Sequence, residues 1–385
     1  MRVVVFTNTY KPTVSGVVTS IALFRRGLEE AGHEMHIITP EYEDYQDEEP
    51  YIYRVPAVDL PAPLDFSLAW PFKSLVAPIV RGIRPALIHS QHPVLMGGLA
   101  ADLAEEMGLP LVFTFHCRYD EYAERLVPLI PELAGLVIDE IIGRYLERCT
   151  HVIAPSPSVR DLLVNEYEVD APVSVVPTPV DLSGYHDLQP GRVRAALGLA
   201  DAEVLLYVGR LSEEKSLHFL LEVFARVAQA RSQARLLLVG RGPKEGSLAR
   251  TARRMGLGER VIFGGAVPHR EVPHYAAAAD LFVFASEVET QGLALIEAMA
   301  AGTPVVAVRS PGTTDTLSAG GGVLVPADDE AFAAAVMALL ADRQRRQALG
   351  EQALQAAQGY AMPTVTARLV SVYEQAVAAG PRAGR

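Results

Sequence analysis

The chain has 385 residues, half of them apolar, and a formal net charge of −12 at pH 7. Residues 1–180 carry 13 Lys or Arg and 25 Asp or Glu, whereas the remainder carries 21 of each, so the first half holds the whole net charge. This balance excludes a general nucleic-acid-binding protein, which needs the opposite sign, and the length predicts two domains.

Several absences bound the class of protein further. No stretch of about 20 residues is uniformly apolar, so we expect no membrane span. The first predicted strand begins at Arg2, which leaves no room for a signal peptide. Cys117 and Cys149 lack metal-ligand spacing, and we interpret both as reduced thiols. These features predict a cytoplasmic protein.

Short apolar runs alternate with helical patterns along the entire chain. The predicted strands of the first half are residues 3–6, 35–38, 86–89, 111–114, 151–154 and 173–176. Those of the second half are residues 204–209, 235–240, 261–263, 281–284, 303–307 and 322–325. This alternation is typical of parallel sheets with crossover helices. The predicted fold class is α/β, with two doubly wound, Rossmann-like domains.

Two prolines, Pro177 and Pro179, mark the predicted domain boundary, because they hold an extended segment and stop a helix. The first domain is predicted at residues 1–180 and the second at 181–362. Helical patterns at 329–341 and 343–358 close the second domain, and a last helix beginning at Pro363 is expected to pack back on the first. Two such domains are expected to face a central cleft, lined by the carboxyl ends of both sheets. The acidic run at 41–49 is interpreted as a solvated loop.

Two motifs of the first domain follow predicted strands. Residues 13–20 lead into a helix predicted to begin at about Gly16, and glycine there lets a phosphate approach backbone amides. His116 directly follows strand 111–114, a position that suits recognition of a substrate hydroxyl or acid–base chemistry. The alternatives are a tight turn at Gly16 and a structural histidine. Neither Gly-x-Gly-x-x-Gly nor a Walker lysine motif is present.

Residues 68–84 combine the only tryptophan of the chain with aliphatic residues and three cations. Such a stretch can lie in a membrane interface, with its aromatic side chains at the boundary and its cations toward anionic headgroups. An ordinary crossover helix is the alternative, and Pro78 and Gly82 argue against one long helix. The candidate acceptor or membrane contacts are Trp70, Phe72, Lys73, Arg81, Arg84, Tyr119 and Asp120.

Arg210 and Lys215 follow a predicted strand of the second domain, and a helix is predicted to begin near Ser216. Cationic side chains and helix N–H groups at a sheet's carboxyl edge make a good diphosphate site. Ion pairing with Glu213 or Glu214 is the structural alternative.

Glu289 and Glu297 bracket a change from strand to helix. The apolar run 280–285 precedes them and a helical pattern spans 292–302, so Glu289 is predicted in a loop at a strand's carboxyl end. Glu297 is expected about two turns into the helix, so that both acids face one ligand over the helix start. The alternative is a solvated loop acid and a helix-surface acid.

Together these motifs resemble the retaining glycosyltransferases of the GT-B fold, family 4, over essentially the entire chain. The resemblance is most specific in Gly209-Arg-Leu-Ser-Glu-Glu-Lys215 and Glu289-Thr-Gln-Gly-Leu-Ala-Leu-Ile-Glu297. It implies a metal-independent hexosyltransferase with no cofactor, whose nucleotide sugar is a substrate. The chain departs from the family pattern at Gln291, where phenylalanine is usual, and at Ser216, where glycine is common.

The resemblance also implies roles for single residues. Arg210 and Lys215 would neutralise the donor diphosphate, and the backbone at Gly16 would approach its distal phosphate. Glu297 would bind the donor ribose, while Glu289 and, from the other domain, His116 would bind the transferred sugar. Main-chain N–H groups would hold the sugar and phosphate at the helix start, and these belong to Gln291, Gly292 and Leu293.

The Thr-Gln-Gly form, with residues 15–20 and 114–122, resembles the diacylglycerol glucosyltransferase, or glycolipid synthase, branch. This implies UDP-glucose or UDP-galactose as donor, diacylglycerol as lipid acceptor, an α-linked product, and a protein peripheral on the inner face of the cell membrane. One alternative is GDP-mannose or another UDP-sugar, with a phosphoinositol, polysaccharide or small soluble acceptor. The alternatives outside enzymes are a nucleotide-sugar-binding protein and a peripheral membrane scaffold.

Overall fold

The computed structural model describes residues 1–59, 67–69, 72–117 and 131–382. The chain divides into two compact units, one formed by Met1–Pro179 with Met362–Arg385 and the other by Val180–Ala361. The division lies at the predicted proline segment. Each unit carries a parallel sheet with helices packed against it, so the predicted α/β class is confirmed.

The main sheet of the first unit has seven described strands, all parallel, in the order β3-β2-β1-β6-β7-β8-β9. They are β1 (Arg2–Phe6), β2 (Glu34–Pro40), β3 (Ile52–Val55), β6 (Leu87–Ser90), β7 (Leu111–Thr114), β8 (His151–Ala154) and β9 (Val173–Val175). A separate antiparallel ribbon pairs β4 (Ala57–Asp59) with β5 (Ser67–Ala69). The strand order reverses between β1 and β6, which is where such sheets bind ligands.

Apolar residues at helical spacing place the helices of the first unit on its sheet. In α1 the buried residues Val18, Ile21, Phe24 and Leu28 recur every three or four positions, and Ser15 caps the helix by accepting a hydrogen bond from the backbone of Val18. The helices of this stretch are α1 (Gly16–Glu30), α2 (Lys73–Ile83), α3 (Met96–Met107), α4 (Pro131–Glu147) and α5 (Pro157–Asn165).

The sheet of the second unit is also parallel, in the order β12-β11-β10-β13-β14-β15. Its strands are β10 (Glu203–Val208), β11 (Ala234–Val239), β12 (Val261–Gly265), β13 (Leu281–Phe284), β14 (Val305–Val308) and β15 (Gly322–Val325). Because β10 and β13 are neighbours here, the order reverses between them. The loops after these two strands carry the predicted donor motifs.

Helices surround this second sheet. They are α6 (Pro190–Ala196), α7 (Leu217–Ala230), α8 (Glu245–Arg254), α9 (Val272–Ala277), α10 (Leu293–Ala300), α11 (Pro311–Thr316), α12 (Asp329–Ala341) and α13 (Arg343–Ala357). Short 3-10 turns lie at Leu182–Tyr185, Glu213–Lys215, His269–Glu271 and Gln358–Tyr360.

The last helix, α14 (Met362–Ala379), belongs to the first unit. Val365, Leu369, Val372 and Tyr373 are buried on it and share one hydrophobic cluster with residues of α1 and β1. Among the described residues, no helix has both the length and the apolar character needed to span a bilayer.

Two sequence interpretations need correction. The stretch 68–84 is not a continuous element, since Leu68 lies in β5 and the helix begins at Lys73. The acidic run 41–49 is not solvated throughout. Asp47 pairs with Arg54 at 2.6 Å, and Glu49 accepts a hydrogen bond from the buried Arg25 at 3.2 Å. Asp47 therefore ties the run to β3, a strand that sequence patterning missed, and Glu49 ties it to α1.

Candidate functional site

Two loops of the second unit meet where its strand order reverses. Residues 209–215 follow β10 and residues 285–292 follow β13, and these strands are paired at Leu205 and Leu281. The Ser286 hydroxyl donates to the Glu214 carbonyl at 2.8 Å, which joins the two loops directly. The predicted diphosphate motif and the predicted sugar motif therefore lie side by side.

Glycines allow the backbone to pass closely beneath the first loop. A Cβ on Gly240, where φ is +138°, would lie 1.9 Å from the Gly209 carbonyl oxygen, and one on Gly242 would lie 2.3 Å from that of Leu211. No side chain fits at either position without moving the loop. The loop 209–211 therefore packs directly on the backbone of Gly240 and Gly242. Within this loop, the Arg210 side chain is exposed.

Lys215 pairs with Glu289, so the structure brings two of the predicted site residues into direct contact. The alternative pairing of Lys215 with Glu213 or Glu214 does not form, because Glu213 pairs with Lys244 and Glu214 accepts a hydrogen bond from Ser212. The side chains of Lys215 and Glu289 are only 21% and 16% exposed. The cation and the acid therefore neutralise each other at the loop junction.

The same carboxylates act on Tyr207, a fully buried residue at the end of β10. Burial, together with the nearby Glu289 and Glu214, raises the pKa of its phenol well above the ordinary value. Its hydroxyl donates to the Arg210 carbonyl at 3.0 Å. Tyr207 therefore stays uncharged and supports the loop through this hydrogen bond.

The turn before α10 rests on the neighbouring helix α11. Gly312, in the first turn of α11, leaves room for the Glu289 carbonyl, which a Cβ would meet at 2.1 Å. The Thr316 hydroxyl donates to the Gln291 carbonyl. Gly292 then takes a left-handed conformation with φ of +77°, and the helix begins at the next residue, Leu293. The first N–H groups of α10, including that of Leu293, have no intrahelical carbonyl to bind.

Glu297 lies closer to the start of α10 than predicted. The helix begins at Leu293 rather than at Gly292, so Glu297 is its fifth residue, a little more than one turn in, and not about two turns. Its side chain is buried and its Oε1 lies 2.7 Å from Nε2 of His269. This hydrogen bond is the main cause that raises the pKa of the His269 imidazole above its ordinary value. Sequence reasoning missed His269, whose only signal is a Pro-His pair before a short helix.

Gly16 is the first residue of α1, as predicted. A Cβ built on it would meet nothing within 4 Å, and its φ lies outside the left-handed region. The protein itself therefore does not require glycine at this position, which argues against the tight-turn alternative. At this helix start the Val18 amide is capped by the Ser15 hydroxyl, and the amides of Gly16 and Val17 have no intrahelical carbonyl to bind.

His116 is half-buried just beyond β7 and is linked to a buried polar chain. Its Nε2 lies 2.6 Å from Oε1 of Gln91, whose amide nitrogen lies 3.2 Å from Nε2 of His89. His89 in turn contacts the Thr114 hydroxyl and the Tyr373 hydroxyl, each at 2.8 Å. Sequence reasoning missed Gln91, although the run His89-Ser-Gln-His92 at a strand end was a signal for it.

The candidate membrane contacts are either paired cations, exposed side chains or residues outside the described part of the chain. On α2 the residues Val76, Ala77, Val80 and Ile83 are buried, so this helix is a packed crossover helix with one exposed face. Lys73 and Arg81 both pair with Glu106, and Arg84, just after the helix, is exposed. Phe72 is exposed before the helix start. Trp70, Tyr119 and Asp120 lie outside the described residues.

In the described part of the chain, no group of three His, Cys, Asp or Glu side chains is arranged to hold a metal ion. The site is instead composed of cations, carboxylates and helix N–H groups.

Family models match both halves of the chain. One described as "Glycosyltransferase Family 4" matches residues 14–183, and one described as "Glycosyl transferases group 1" matches residues 192–356.

Three relatives cover most of the chain. An alpha-monoglucosyldiacylglycerol synthase of Streptococcus pneumoniae is 33% identical, over 83% of this chain and 73% of its own. A protein of the same name from Acholeplasma laidlawii is 29% identical, over 80% of both chains. A D-inositol 3-phosphate glycosyltransferase of Kineococcus radiotolerans is 34% identical, over 76% of this chain and 72% of its own.

The fold has a solved counterpart in HepE of Anabaena, crystallised with UDP-glucose. The two chains match with a TM-score of 0.75 at 19% identity, over 96% of this chain and 98% of that one. With the sequence matches above, this places the fold in the GT-B class. The chain belongs to family 4 of the GT-B glycosyltransferases.

Proposed function

We propose that this glycosyltransferase moves a hexose from a UDP-sugar to diacylglycerol and forms an α-linked glycolipid. The observation that carries the donor half is the contact of Lys215 with Glu289 beside the start of α10. The acceptor half rests on the similarity to two alpha-monoglucosyldiacylglycerol synthases, at 33% and 29% identity.

The chemistry of the donor site follows from charge. When the anomeric C–O bond breaks, negative charge collects on the leaving nucleoside diphosphate. Lys215, the exposed Arg210 and the first N–H groups of α10 supply fixed positive charge and dipoles for it. Because these groups can supply the stabilisation that a metal ion gives elsewhere, we propose a metal-independent reaction.

The two acids have separate parts in this proposal. Glu289 accepts hydrogen bonds from the transferred sugar, and Glu297 accepts them from the ribose of the nucleotide. Each acid has a cationic or ionisable partner in the structure, Lys215 for Glu289 and His269 for Glu297. Donor binding would exchange these internal partners for sugar hydroxyls, which limits the cost of desolvating the carboxylates.

In the first unit, we propose that the backbone at Gly16 approaches the distal phosphate and that His116 contacts the transferred sugar. The support for Gly16 is the unobstructed space around it. For His116 the support is its burial, which, with the nearby His92 and His89, lowers the pKa of the imidazole to about 3. A neutral ring suits hydrogen bonding to a sugar hydroxyl rather than proton transfer at neutral pH.

We further propose retention of configuration by front-face attack, with the leaving phosphate helping to deprotonate the acceptor hydroxyl. This needs no protein nucleophile. It fits the proposed site, in which Glu289 binds hydroxyl groups of the transferred sugar.

We propose peripheral membrane contact through the exposed side of α2. Phe72 and Leu75 are 52% and 45% exposed there. Lys73 and Arg81 already share Glu106, so apolar side chains rather than cations would make the larger contribution.

The test is a matrix of donors and acceptors with the purified protein. UDP-glucose, UDP-galactose and GDP-mannose are each offered with diacylglycerol in mixed micelles and, separately, with inositol phosphate. We expect a glycolipid from a UDP-sugar and diacylglycerol, undiminished by EDTA, with an α anomeric signal in the proton NMR spectrum.

Rapid transfer to inositol phosphate without glycolipid formation would overturn the lipid acceptor and favour the activity suggested by the 34% identical relative. A β-linked product would overturn retention. Loss of activity in EDTA that is restored by a divalent cation would overturn metal independence.

A further inference from the structure

A chain of buried polar side chains lies where β6 and β7 end. The two strands are paired in parallel, with Ser90 opposite Phe113, so the residues just beyond them are neighbours. His89 and Gln91 come from the end of β6, and Thr114 and His116 from the end of β7. Tyr373 reaches the same chain from α14, 284 residues away from His89 in the sequence.

The distances determine how the Gln91 amide is turned. One amide atom lies 2.6 Å from Nε2 of His116 and the other lies 3.2 Å from Nε2 of His89. An N–H···N hydrogen bond does not close to 2.6 Å, whereas a contact of 3.2 Å suits it. The amide oxygen therefore faces His116 and the amide nitrogen faces His89. Gln91 is 4% exposed and is held in this orientation by its two neighbours.

Both imidazoles are neutral at physiological pH, because burial lowers the pKa of each to about 3. A neutral imidazole carries one N–H, so a single hydrogen bond of known direction defines its tautomer.

The amide orientation then assigns a direction to each contact. An amide oxygen only accepts, so Nε2 of His116 donates and carries the ring hydrogen. The Gln91 nitrogen only donates, so Nε2 of His89 accepts and holds a lone pair, and the Thr114 hydroxyl at 2.8 Å then donates to the same lone pair. The hydrogen of His89 is consequently on Nδ1, which donates to the Tyr373 hydroxyl at 2.8 Å.

We propose that Gln91 is a positioning residue that holds His116 in its Nε2–H tautomer. We also propose that Tyr373, through His89, sets the direction of the hydrogen bonds that reach Gln91. In this tautomer Nδ1 of His116 carries the lone pair and acts as an acceptor. The proposal rests on the proposed function in one respect only, the role of His116 at the transferred sugar.

Each hydrogen bond between Tyr373 and His116 influences the direction of the next one. If His89 carried its hydrogen on Nε2, that hydrogen would donate to the Thr114 hydroxyl at 2.8 Å, and the Gln91 amide hydrogens would lose their acceptor and face an N–H. This arrangement favours the amide turned over. The Gln91 nitrogen would then donate to Nε2 of His116 and move that ring's hydrogen to Nδ1. A change at Tyr373 therefore alters the tautomer of His116 without touching it.

Nitrogen-15 NMR of the histidine rings in the full-length protein tests this, because the two tautomers give distinct ring-nitrogen shifts and couplings. In the wild type we expect His116 as Nε2–H and His89 as Nδ1–H. In Tyr373→Phe, His89 loses the acceptor for its Nδ1–H, and we expect a mixture of tautomers at His116. In Gln91→Leu we expect the single-tautomer pattern of His116 to be lost.

Thr366→Val is the matched control on the same helix. Thr366 is buried on α14, and among the described residues its hydroxyl has no hydrogen-bond partner. The change removes a buried hydroxyl, as Tyr373→Phe does, but leaves the hydrogen bonds between Tyr373 and His116 in place. We expect wild-type tautomers and wild-type turnover for it. For Tyr373→Phe we expect a lower kcat in a folded protein of somewhat reduced thermal stability, because a buried donor loses its acceptor.

The outcomes separate this inference from the proposed function. A wild-type His116 found as Nδ1–H, or tautomers unchanged in Tyr373→Phe, would overturn the inference even if glycolipid is made. Absence of glycolipid synthesis with the tautomers as stated would overturn the proposed function and leave the hydrogen-bond chain established. A collapse of folding in Gln91→Leu leaves Tyr373→Phe to decide.

Discussion

The ammonium of Lys215 lies against the carboxylate of Glu289, although the two residues come from loops after different strands. The cation expected at the donor diphosphate is thus neutralised by the acid expected at the donor sugar. In the proposed donor site, a nucleoside diphosphate alone would compete with Glu289 for Lys215, whereas a complete sugar nucleotide would offer hydroxyl groups to the acid that it displaces. The pair would then couple recognition of the two parts of the donor.

Glu289→Gln is expected to change UDP binding and turnover in opposite directions. UDP should bind more tightly, because Lys215 no longer has a carboxylate partner that competes with the phosphates. Turnover with the UDP-sugar should fall about 10²-fold, because a hydrogen-bond acceptor for the sugar is weakened. Isothermal titration calorimetry with UDP and steady-state kinetics measure the two effects.

The matched control is Glu287→Gln, which removes an exposed acid two residues earlier in the same loop. It should alter neither UDP binding nor turnover beyond a small salt-dependent change. If Glu289→Gln weakened UDP binding, the competition for Lys215 would be ruled out.

The pair of His269 and Glu297 should make stability depend on pH. The pKa of His269 is raised in the folded protein by the hydrogen bond to Glu297 and, to a smaller extent, by the charge of Asp181. An unfolded histidine has a pKa of about 6.5. The stabilisation is therefore fully present below about pH 6.5 and is lost as the pH rises through the raised folded pKa.

Glu297→Gln should accordingly cost more stability at about pH 6 than at about pH 9. The difference in free energy of unfolding should stay below about 1 kcal/mol, because the His269 side chain is exposed and solvent screens the charge. Urea unfolding at the two pH values measures it. Glu271→Gln is the control, because Glu271 lies on the same turn but pairs with Arg192. An equal cost of Glu297→Gln at both pH values would contradict the assignment.

Gly16→Ala should separate stability from catalysis. The added methyl group meets nothing within 4 Å, so the free energy of unfolding should stay equal or rise by up to about 1 kcal/mol. If a phosphate approaches this backbone, kcat/KM for the UDP-sugar should nevertheless fall by about 10²-fold.

Gly98→Ala provides the comparison, since Gly98 also lies in the first turn of a helix of the same unit and has equally open surroundings. Thermal unfolding and steady-state kinetics on both variants make the test. Full activity in Gly16→Ala would remove Gly16 from the donor site.

The local parts of the site were predictable from sequence because they depend on neighbouring residues. The start of α1 at Gly16 and the turn before α10 follow from glycine and strand patterns over a few positions. Likewise, two prolines and a helical period were enough to place the unit boundary and α14.

The partners of the site residues were not predictable, because the fold brings them from distant positions. His269 reaches Glu297 across 28 residues, and Lys215 reaches Glu289 across 74. A single sequence carries no signal for such contacts. The interpretation of residues 68–84 as one amphipathic stretch was wrong for a related reason, since the pairing of β5 with β4 interrupts it.

Leu75→Asp should weaken attachment to membranes if the exposed side of α2 contacts lipid. Leu75 is 45% exposed next to Phe72, and a charge there opposes insertion into the interface.

Leu354→Asp is a closely matched control, because Leu354 is 44% exposed on α13 in the other unit. Flotation with vesicles containing anionic lipid should show a clear loss of bound protein for Leu75→Asp and none for Leu354→Asp. Glycosylation of diacylglycerol in detergent micelles should be nearly unchanged in both variants, because the substitution affects delivery to the surface and not the donor site. Equal flotation of the two variants would place the membrane contact elsewhere on the protein.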